Sequence, residues 1–482
     1  MSRTVINVLV DQQDGGGSNT SFRIQLAEPN VKGARQLAQF PYSENDPVPQ
    51  SFRNAACQMD AIGEYIWNGL SNHEALKQQI RSLLAVQEGT TESVVLCIPP
   101  EAEDLAWETL FVDHSFLALD RRWPIARMSM DAPPGGRQRN FQPPLKVLAV
   151  LAADKDAEGN DITAAGEWKA LLDSFGSASF PVTIKALVAE ESLHAEIAAA
   201  NSDGVSAEVD YVDRDSGVFL RAIQDFRPNI LHFFCHGAKS GGTSYLRVAT
   251  LLSRDGDPGG PLIFEASDLP TGALGDGLWL VTLNCCGSAE PTGAAGSIAH
   301  ALSSTGVPVV AGMRESVVVE DANAFSAGFY RAVVDLLRPT ATAGRARAIE
   351  WPTALYEARI ALCEAHRGNV PCRQAAPASH EWTLPVLYVG GQEFRLHGRR
   401  RPRQSPAPEG AKLPQRALRE VISRVTQPRA GPQLTEPERA AREAQLQILH
   451  DLVEKDLGAP ADVLEAYRSR ISDLERELYG RK

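Results

Sequence analysis

The chain has 482 residues, of which 43% are hydrophobic and 22% charged, so it has a globular composition and is too long for one ordinary core. A formal net charge of −12 argues against a nucleic-acid-binding surface over the whole molecule, and no apolar run approaches the roughly 18 residues of a membrane span. The N-terminus lacks the pattern of a signal peptide, and the seven cysteines have neither disulfide-framework nor zinc spacing. We therefore expect a reduced, cytoplasmic protein with no metal and no cofactor.

The first 130 residues predict two buried strands with a helical region between them. The strands are residues 4–10, TVINVLV, and residues 93–100, SVVLCIPP, and the spacing of apolar residues in 53–87 is helical. Residues 131–144 are rich in proline and glycine and are typical of a linker. This pattern predicts an N-terminal half over residues 1–130.

Strands and helices alternate over residues 145–395. The predicted strands are 145–153, 182–189, 229–236, 278–286, 307–313 and 384–391, and the predicted helices are 167–175, 218–226, 296–305, 320–337 and 352–366. The alternation predicts an α/β fold with a doubly wound, mostly parallel sheet and helices on both faces. Such sheets bind ligands beyond the carboxyl ends of their strands. His236 and Cys286 both stand at such ends, so we expect them on the same rim.

The last 87 residues predict a linker followed by helices. Residues 396–415 are basic and proline-rich, which is typical of an exposed linker, and the short run 399–403 lacks the interleaved aromatics of a nucleic-acid site. Residues 416–482 have helical patterning, with a/d spacing over two heptads in the last helix. Both a small hairpin packed on itself and a surface for self-association or a partner fit this tail.

A histidine and a cysteine at neighbouring strand ends are the groups that thiol catalysis needs. The imidazole of His236 can take the proton of a thiol fifty positions later, in NCCGS, and the resulting thiolate attacks a carbonyl. The backbone N–H groups of Gly237 and Cys286 are candidates for an oxyanion hole. Histidine followed by cysteine at this distance is also the caspase spacing. The alternative is that both motifs are simply the ends of two buried strands.

Longer motifs resemble the CHAT domain, a caspase-related peptidase family. They are ILHFFCHG (230–237), LVTLNCCGSAEPTGAAGSIAHALSSTGVPVVAGM (280–313), VEDANAFSAGFYRAV (319–333), LAWETLF (105–111) and HEWTLPVLYVGG (380–391). The resemblance covers residues 1–395 and is strongest over 228–333. The tryptophan that the family has after its V-P-V-V strand is absent here, where GMRESVVVED stands, so the local loop and the specificity depart from the family pattern.

The resemblance implies roles for five residues near the strand ends. Cys286 matches the nucleophile and His236 the general base, while His232 matches a first histidine that helps to order the site. Cys285 is the alternative nucleophile, and alternation along a strand allows only one of the two cysteines to face the rim site. Asn284 stands where the family has a residue that shapes the S1 pocket. Asp321 matches a family aspartate that either supplies charge for a substrate or caps the following helix.

The resemblance also implies what the protein does. The N-terminal half has no histidine–cysteine pair and resembles an inactive caspase-like half. The second half would be a caspase-like cysteine endopeptidase that forms a thioester with a protein substrate. Its setting would be bacterial signalling or antiphage defence, with a pore-forming effector as a substrate and a partner protein or ligand as the trigger. The alternatives are a catalytically silent CHAT-fold scaffold and a thiol-dependent transferase.

Overall fold

The computed structural model describes the chain between residues 3 and 398, with gaps. The described ranges are 3–11, 21–27, 33, 36–42, 58–85, 89–131, 138–155, 161–199, 205–240, 243–254, 261–269, 271–285, 297–343 and 346–398. They belong to one compact unit, Met1–Arg401, and a second unit comprises Pro402–Lys482. The predicted basic run at 399–403, the predicted helical tail and Cys286 lie outside the described residues.

Twenty strands build the described part of the first unit. They are β1 (Arg3–Val10), β2 (Phe22–Leu26), β3 (Ala38–Phe40), β4 (Ser93–Ile98), β5 (Phe111–Val112), β6 (Ser115–Phe116), β7 (Ile125–Ser129), β8 (Arg139–Phe141), β9 (Leu145–Leu151), β10 (Val182–Val188), β11 (Val205–Tyr211), β12 (Ile230–Phe234), β13 (His236–Ser240), β14 (Thr243–Val248), β15 (Leu262–Phe264), β16 (Leu280–Leu283), β17 (Val309–Met313), β18 (Ala346–Ala348), β19 (Pro385–Val389) and β20 (Arg395–Gly398). Twelve of them form one sheet in the order β11–β10–β9–β12–β16–β17–β19–β7–β4–β1–β2–β3.

Helices connect these strands. They are α1 (Met59–Leu70), α2 (Glu74–Leu84), α3 (Ala165–Gly176), α4 (Glu191–Ala199), α5 (Ser216–Phe226), α6 (Leu251–Arg254), α7 (Thr271–Leu274), α8 (Ile298–Ser304), α9 (Val319–Ala343), α10 (Pro352–His366) and α11 (Cys372–Ala375). Among the described helices, none combines the length and the apolar character that crossing a bilayer requires.

The strands on either side of β19 run in opposite directions. From β11 to β17 all neighbours are parallel, but β19 is antiparallel to β17 and parallel to β7, and β7, β4 and β1 continue in its direction. The predicted α/β fold with a mostly parallel sheet is therefore confirmed. The carboxyl ends of β4 and β7 lie at the edge of the sheet opposite to the carboxyl ends of β12 and β16.

The central strands are continuous apolar runs because both faces of the sheet are covered. Along β9, Val147, Ala149 and Leu151 belong to one buried cluster, and Leu148 and Val150 belong to the other. Both sets are fully buried. A strand covered on both sides has no solvent face, so its sequence does not alternate with polar residues.

The structure departs from the predicted boundaries at three places. The predicted linker 131–144 contains β8, which pairs with β20, and β20 in turn takes up the first residues of the predicted linker 396–415. The predicted strand 229–236 is divided, because β12 ends at Phe234 and β13 begins at His236 in a separate three-stranded sheet with β14 and β15. The strand β11, VSAEVDY, was not predicted, although its alternation of apolar and polar residues is a strand signal. The division into halves within this unit stays a prediction.

Candidate functional site

Side chains near the ends of β12 and β16 alternate between the two faces of the sheet. Phe233 and Cys235 of the first strand and Leu283 and Cys285 of the second belong to one apolar cluster, whereas Phe234 belongs to the opposite cluster. The register pairs residues fifty positions apart, with Phe233 opposite Leu283. The face that carries Phe234 is therefore also the face of His232 and Asn284.

Cys285 faces away from His232 and Asn284. Its Sγ atom lies 3.3 Å from Sγ of Cys235, and it is 3.6 Å from the carbonyl oxygen of Phe233. Both cysteines are buried. This orientation argues against Cys285 as the nucleophile and favours Cys286, whose role stays a prediction because it lies outside the described residues.

His236 lies beside a buried carboxylate. Its Nε2 atom is 3.0 Å from Oδ1 of Asp154, with the ring 17% and the carboxylate 5% exposed. This separation is an ion-pair distance. Arg247, which stands opposite His236 in the β13–β14 register, donates from Nη1 and Nη2 to the two oxygens of Asp154 at 2.9 and 2.6 Å. Asp154 is thus held between a base candidate and a guanidinium.

The backbone after β9 fixes Asp154 in this position. The N–H of Ala152 donates to the carbonyl of Phe234 at 2.8 Å, and the N–H of Ile162 donates to the carbonyl of Asp154 at 2.7 Å. Arg254 donates from Nη1 to the carbonyls of Ala153 and Ile162 at 2.7 and 2.8 Å. The segment that carries Asp154 is therefore attached both to β12 and to α6.

A second buried carboxylate organises His232 and Asn284. Oε1 of Glu167, in α3, lies 3.0 Å from Nε2 of His232 and accepts from Nδ2 of Asn284 at 3.1 Å. It also accepts from the hydroxyl of Ser326. The other ring nitrogen of His232 is 2.9 Å from the Tyr330 hydroxyl, and burial raises the pKa of Tyr330 well above its ordinary value. We call these five residues the Glu167 cluster; all are buried.

Asn284 is committed to this cluster through its amide nitrogen. Besides Glu167, Nδ2 lies within hydrogen-bond distance of the carbonyl of Ala322, at 3.0 Å, and the hydroxyl of Ser326, at 3.2 Å. Its side chain is 2% exposed, and its Oδ1 atom has no hydrogen-bond partner among the described residues. The amide therefore orients the end of β16, and a contact with substrate stays a prediction.

Asp321 is paired with a histidine of the next helix. Its Oδ1 atom lies 2.6 Å from Nε2 of His366, and its side chain is buried. The residue is in the first turn of α9, directly before Ala322, whose carbonyl is near the amide of Asn284. The hydrogen bond with Asp321 raises the pKa of His366 above its usual value, although burial opposes this. The structure thus brings Asp321 next to the Glu167 cluster, and its contact with substrate stays a prediction.

Asp321→Asn is expected to lower the pKa of His366 towards the ordinary histidine value of about 6.5, because the amide cannot stabilise the imidazolium as the carboxylate does. A histidine with a raised pKa stabilises the fold fully at low pH, and this contribution is lost as the pH rises through the folded-state pKa. An NMR titration of the imidazole measures the shift. His380, with a pKa raised to about 9 by Glu315 and Glu381, is the reference resonance. An unchanged His366 titration would contradict the pairing.

Gly237 is the last of the predicted site residues, and Cys97 is a buried cysteine of the N-terminal half. Gly237 lies in β13 opposite Leu246, directly after His236, and the role of its N–H stays a prediction. Cys97 is in β4, whose carboxyl end lies at the other edge of the sheet from His236. Burial, with a smaller effect of Asp131, raises the pKa of the Cys97 thiol to about 11. A thiol with this pKa is almost entirely protonated at neutral pH, which agrees with an N-terminal half that lacks a nucleophile.

Sequence reasoning missed Asp154 and Glu167. Asp154 comes directly after the predicted strand 145–153, and Glu167 is the first residue of the predicted helix 167–175. An acidic residue at the carboxyl end of a central strand was a usable signal for Asp154, because that rim collects polar groups. Glu167 gave no such signal, since its burial depends on the packing of α3 against α9. Within the described ranges, no three metal-ligating side chains cluster.

A family model described as the CHAT domain matches residues 73–390, more than half of the chain. The chain belongs to the CHAT domain family. This confirms the resemblance drawn from the strand-end motifs, and the family match spans His232, His236, Asn284, Cys286 and Asp321.

Beyond the family match, the similarities of the chain to known proteins and structures are weak. No curated protein matches the chain. The chain is similar to two crystal structures of the Saccharomyces cerevisiae separase–securin complex, at 13% and 12% sequence identity with TM-scores of 0.30 and 0.29. The matches cover 68% and 67% of this chain, and this chain spans only 17% of the length of either matched chain.

Proposed function

We propose that this CHAT-family chain is a caspase-like cysteine endopeptidase that uses His236 as the general base and Cys286 as the nucleophile. The observation that carries the proposal is the position of His236, at the rim beside Asp154 and one residue beyond Cys235, whose sulfur touches that of Cys285. Cys286 directly follows Cys285 in the sequence, and alternation along a strand predicts that its side chain faces the other way.

We propose a role for each ring nitrogen of His236, which the distance between Nε2 and Asp154 supports. Nε2 is turned towards Asp154, so Nδ1 is the nitrogen that takes the proton of Cys286. The thiolate attacks the carbonyl carbon of a peptide bond, and the N–H groups of Gly237 and Cys286 hold the oxyanion. The tetrahedral intermediate collapses to a thioester as His236 returns the proton to the leaving amine. Water, deprotonated by His236, then releases the acyl group and regenerates the thiol.

Asn284 and Asp321 would act next to the bond that is cut. We assign Asn284 and Asp321 to the floor of the S1 site, because Nδ2 of Asn284 contacts the carbonyl of Ala322, the residue that follows Asp321. The physiological substrate would be a protein, such as a pore-forming effector, in bacterial signalling or antiphage defence in the cytoplasm. A partner protein or a ligand would be the trigger, and the helical tail would serve self-association.

Asp154→Ala is expected to lower the rate of catalysis by roughly 10- to 100-fold, because His236 keeps its nitrogens but loses the group that orients the ring and stabilises its charged form. Asp154→Glu should recover part of the rate, whereas Arg395→Ala, at an exposed strand position, serves as the control. Equal rates for Asp154→Ala and the control would contradict this role.

Product analysis tests the proposed reaction. The full chain is incubated with a complex protein mixture, with and without cell extract as a source of the trigger, and the products are identified by mass spectrometry. New protein N-termini that disappear with Cys286→Ala support an endopeptidase. A transferred group on intact proteins would identify a transferase instead. Capture of intact partners without any covalent change, equally by the wild type and by Cys286→Ala, would identify a scaffold.

A further inference from the structure

The sulfur atoms of Cys235 and Cys285, the residues that directly precede the candidate dyad in the sequence, are in contact. Sγ of Cys235 and Sγ of Cys285 are 3.3 Å apart, and the two side chains are 5% and 1% exposed. Cys235 directly precedes His236, and Cys285 directly precedes Cys286. Both sulfurs belong to the apolar cluster on the face opposite to His232 and Asn284, and the proposed reaction does not use them.

The register of the two strands, continued past their ends, pairs Cys235 with Cys285. The pairs Ile230–Leu280 and Phe233–Leu283 show that residues fifty positions apart stand opposite each other on parallel strands, and Cys235 and Cys285, just beyond the ends of β12 and β16, are the same number of positions apart. Neighbouring strands are about 4.7–4.9 Å apart, within the roughly 4.4–6.8 Å that separates the Cα atoms of a disulfide. Closing the bond therefore needs rotation of the two side chains and a small shift of the strand ends, which brings the sulfurs from 3.3 Å to the roughly 2.05 Å of an S–S bond.

The surroundings of the pair are apolar. The same cluster contains Phe233, Leu283 and Ile298, and the sulfur of Cys285 also contacts the carbonyl of Phe233 at 3.6 Å. Small apolar side chains would fill this space equally well without bringing two oxidisable atoms together. Burial slows the first attack on either thiol. Once one sulfur is oxidised, however, its partner is already within reach, so ring closure is faster than further oxidation.

We propose that Cys235 and Cys285 are a redox modification site, at which a small peroxide generates a reversible disulfide. One thiol attacks the peroxide, its sulfur becomes a sulfenic acid, and one water or alcohol leaves. The second thiol then attacks the sulfenic sulfur, so that the S–S bond forms and water departs with the remaining proton. The two sulfurs together lose two electrons, and the peroxide gains them. A thiol reductant reverses the bond by exchange.

Disulfide formation couples the two strand ends that carry the candidate dyad. Both thiol side chains rotate, and the distance between residues 235 and 285 becomes fixed. These residues directly precede His236 and Cys286 in the sequence. We expect oxidation to lower the reactivity of Cys286 several-fold, because a thiol and its base need a mutual distance set to a few tenths of an ångström. This consequence rests on the proposed function, whereas the disulfide itself does not.

Peptide mapping tests the disulfide without reference to activity. The full-length Cys286→Ser chain is treated with hydrogen peroxide, the remaining thiols are blocked with N-ethylmaleimide, and the digest is read by mass spectrometry. We expect a linked peptide containing Cys235 and Cys285, which dithiothreitol separates. The Cys285→Ala/Cys286→Ser chain should give no such peptide, and Cys363→Ser/Cys286→Ser should give it unchanged. Recovery of both cysteines as blocked thiols after denaturation, or as sulfinic acids, would overturn the proposal.

A second measurement tests the coupling to the site. Labelling of Cys286 by a peptidyl electrophile is followed in the oxidised wild type and the oxidised Cys285→Ala chain, before and after dithiothreitol. Direct oxidation of Cys286 affects both chains, so a several-fold slower, reversible labelling in the wild type alone supports the coupling. Equal labelling rates in the two oxidised chains, with the linked peptide present, would overturn the coupling to Cys286 but not the disulfide itself. Absence of labelling in both unoxidised chains would count against the proposed function, while peptide mapping still decides the disulfide.

Discussion

Cys286→Ala is expected to abolish covalent labelling of the chain by a peptidyl electrophile, and His236→Ala to slow it by about 10²- to 10⁴-fold. The first variant removes the proposed nucleophile, and the second removes the proposed base, His236, which lies beside Asp154 and would generate the thiolate. Intact-mass spectrometry measures the labelled fraction over time, and peptide mapping identifies the labelled cysteine.

The other cysteines supply matched controls for this experiment. Cys285→Ala should be labelled at close to the wild-type rate, because the sulfur it removes faces Cys235 on the opposite side of the sheet. Cys97 should stay unlabelled, since burial raises the pKa of its thiol to about 11. Rapid labelling of Cys285 that persists in the Cys286→Ala variant would show that Cys285, and not Cys286, is the nucleophile. Uniform labelling of exposed thiols, insensitive to His236→Ala, would favour the scaffold.

Glu108→Gln is expected to lower the free energy of unfolding by about 3–5 kcal/mol, the usual cost of breaking a buried ion pair. Its carboxylate accepts from Nε and Nη2 of Arg127 at 2.8 and 2.7 Å, and it lies 3.9 Å from Arg359; all three side chains are fully buried. Burial alone would raise the pKa of Glu108, but the two guanidiniums, chiefly Arg127, lower it. Burial lowers the pKa of Arg359 to about 10 despite Glu108. Removing one carboxylate therefore leaves two buried cations.

The replacement of a single guanidinium should be milder. Arg127→Met leaves Glu108 paired with Arg359, so its cost should be smaller than that of Glu108→Gln, although Arg127 also donates to the carbonyls of Glu103 and Leu105. Arg395→Met removes a largely exposed pair with Glu393 and should cost at most about 1 kcal/mol. Urea unfolding measures the free energy of unfolding of the three variants and so gives the order of the three losses. A Glu108→Gln chain as stable as Arg395→Met would show that the buried pair does not hold the fold.

The motif LAWETLF contains the carboxylate of this ion pair, and it shows how far local pattern extends. The resemblance made Trp107 and Glu108 part of a family element, but nothing in the sequence indicated that Glu108 would serve Arg127 and Arg359. Arg127 lies in β7, a strand that was not predicted because its buried arginine breaks the apolar run. A charged residue in a short strand suggests exposure unless its partner is known. Here Arg127 and Arg359 lie 19 and 251 positions after Glu108 in the sequence.

Other elements were set by short-range pattern and could be predicted. The continuous apolar runs of β9, β12, β16 and β17 predicted covered parallel strands, and the alternation along β16 predicted that Cys285 and its successor face opposite sides. Cys285 does lie with Cys235 in the apolar cluster, as the same alternation requires. These features depend on residues that are neighbours in sequence, so the chain itself specifies them.

The amino-acid sequence by itself determined the class of fold, the family, and the two strand ends at which His236 and the cysteines stand. Only the tertiary structure decided that Asp154 holds His236, that Glu167 joins His232 to Asn284, and that the strands beyond β19 run the other way. The period of a strand or helix is a local property of the backbone, which a linear pattern records. The choice of a partner for a buried carboxylate is made by long-range packing, which brings together groups that no local pattern connects.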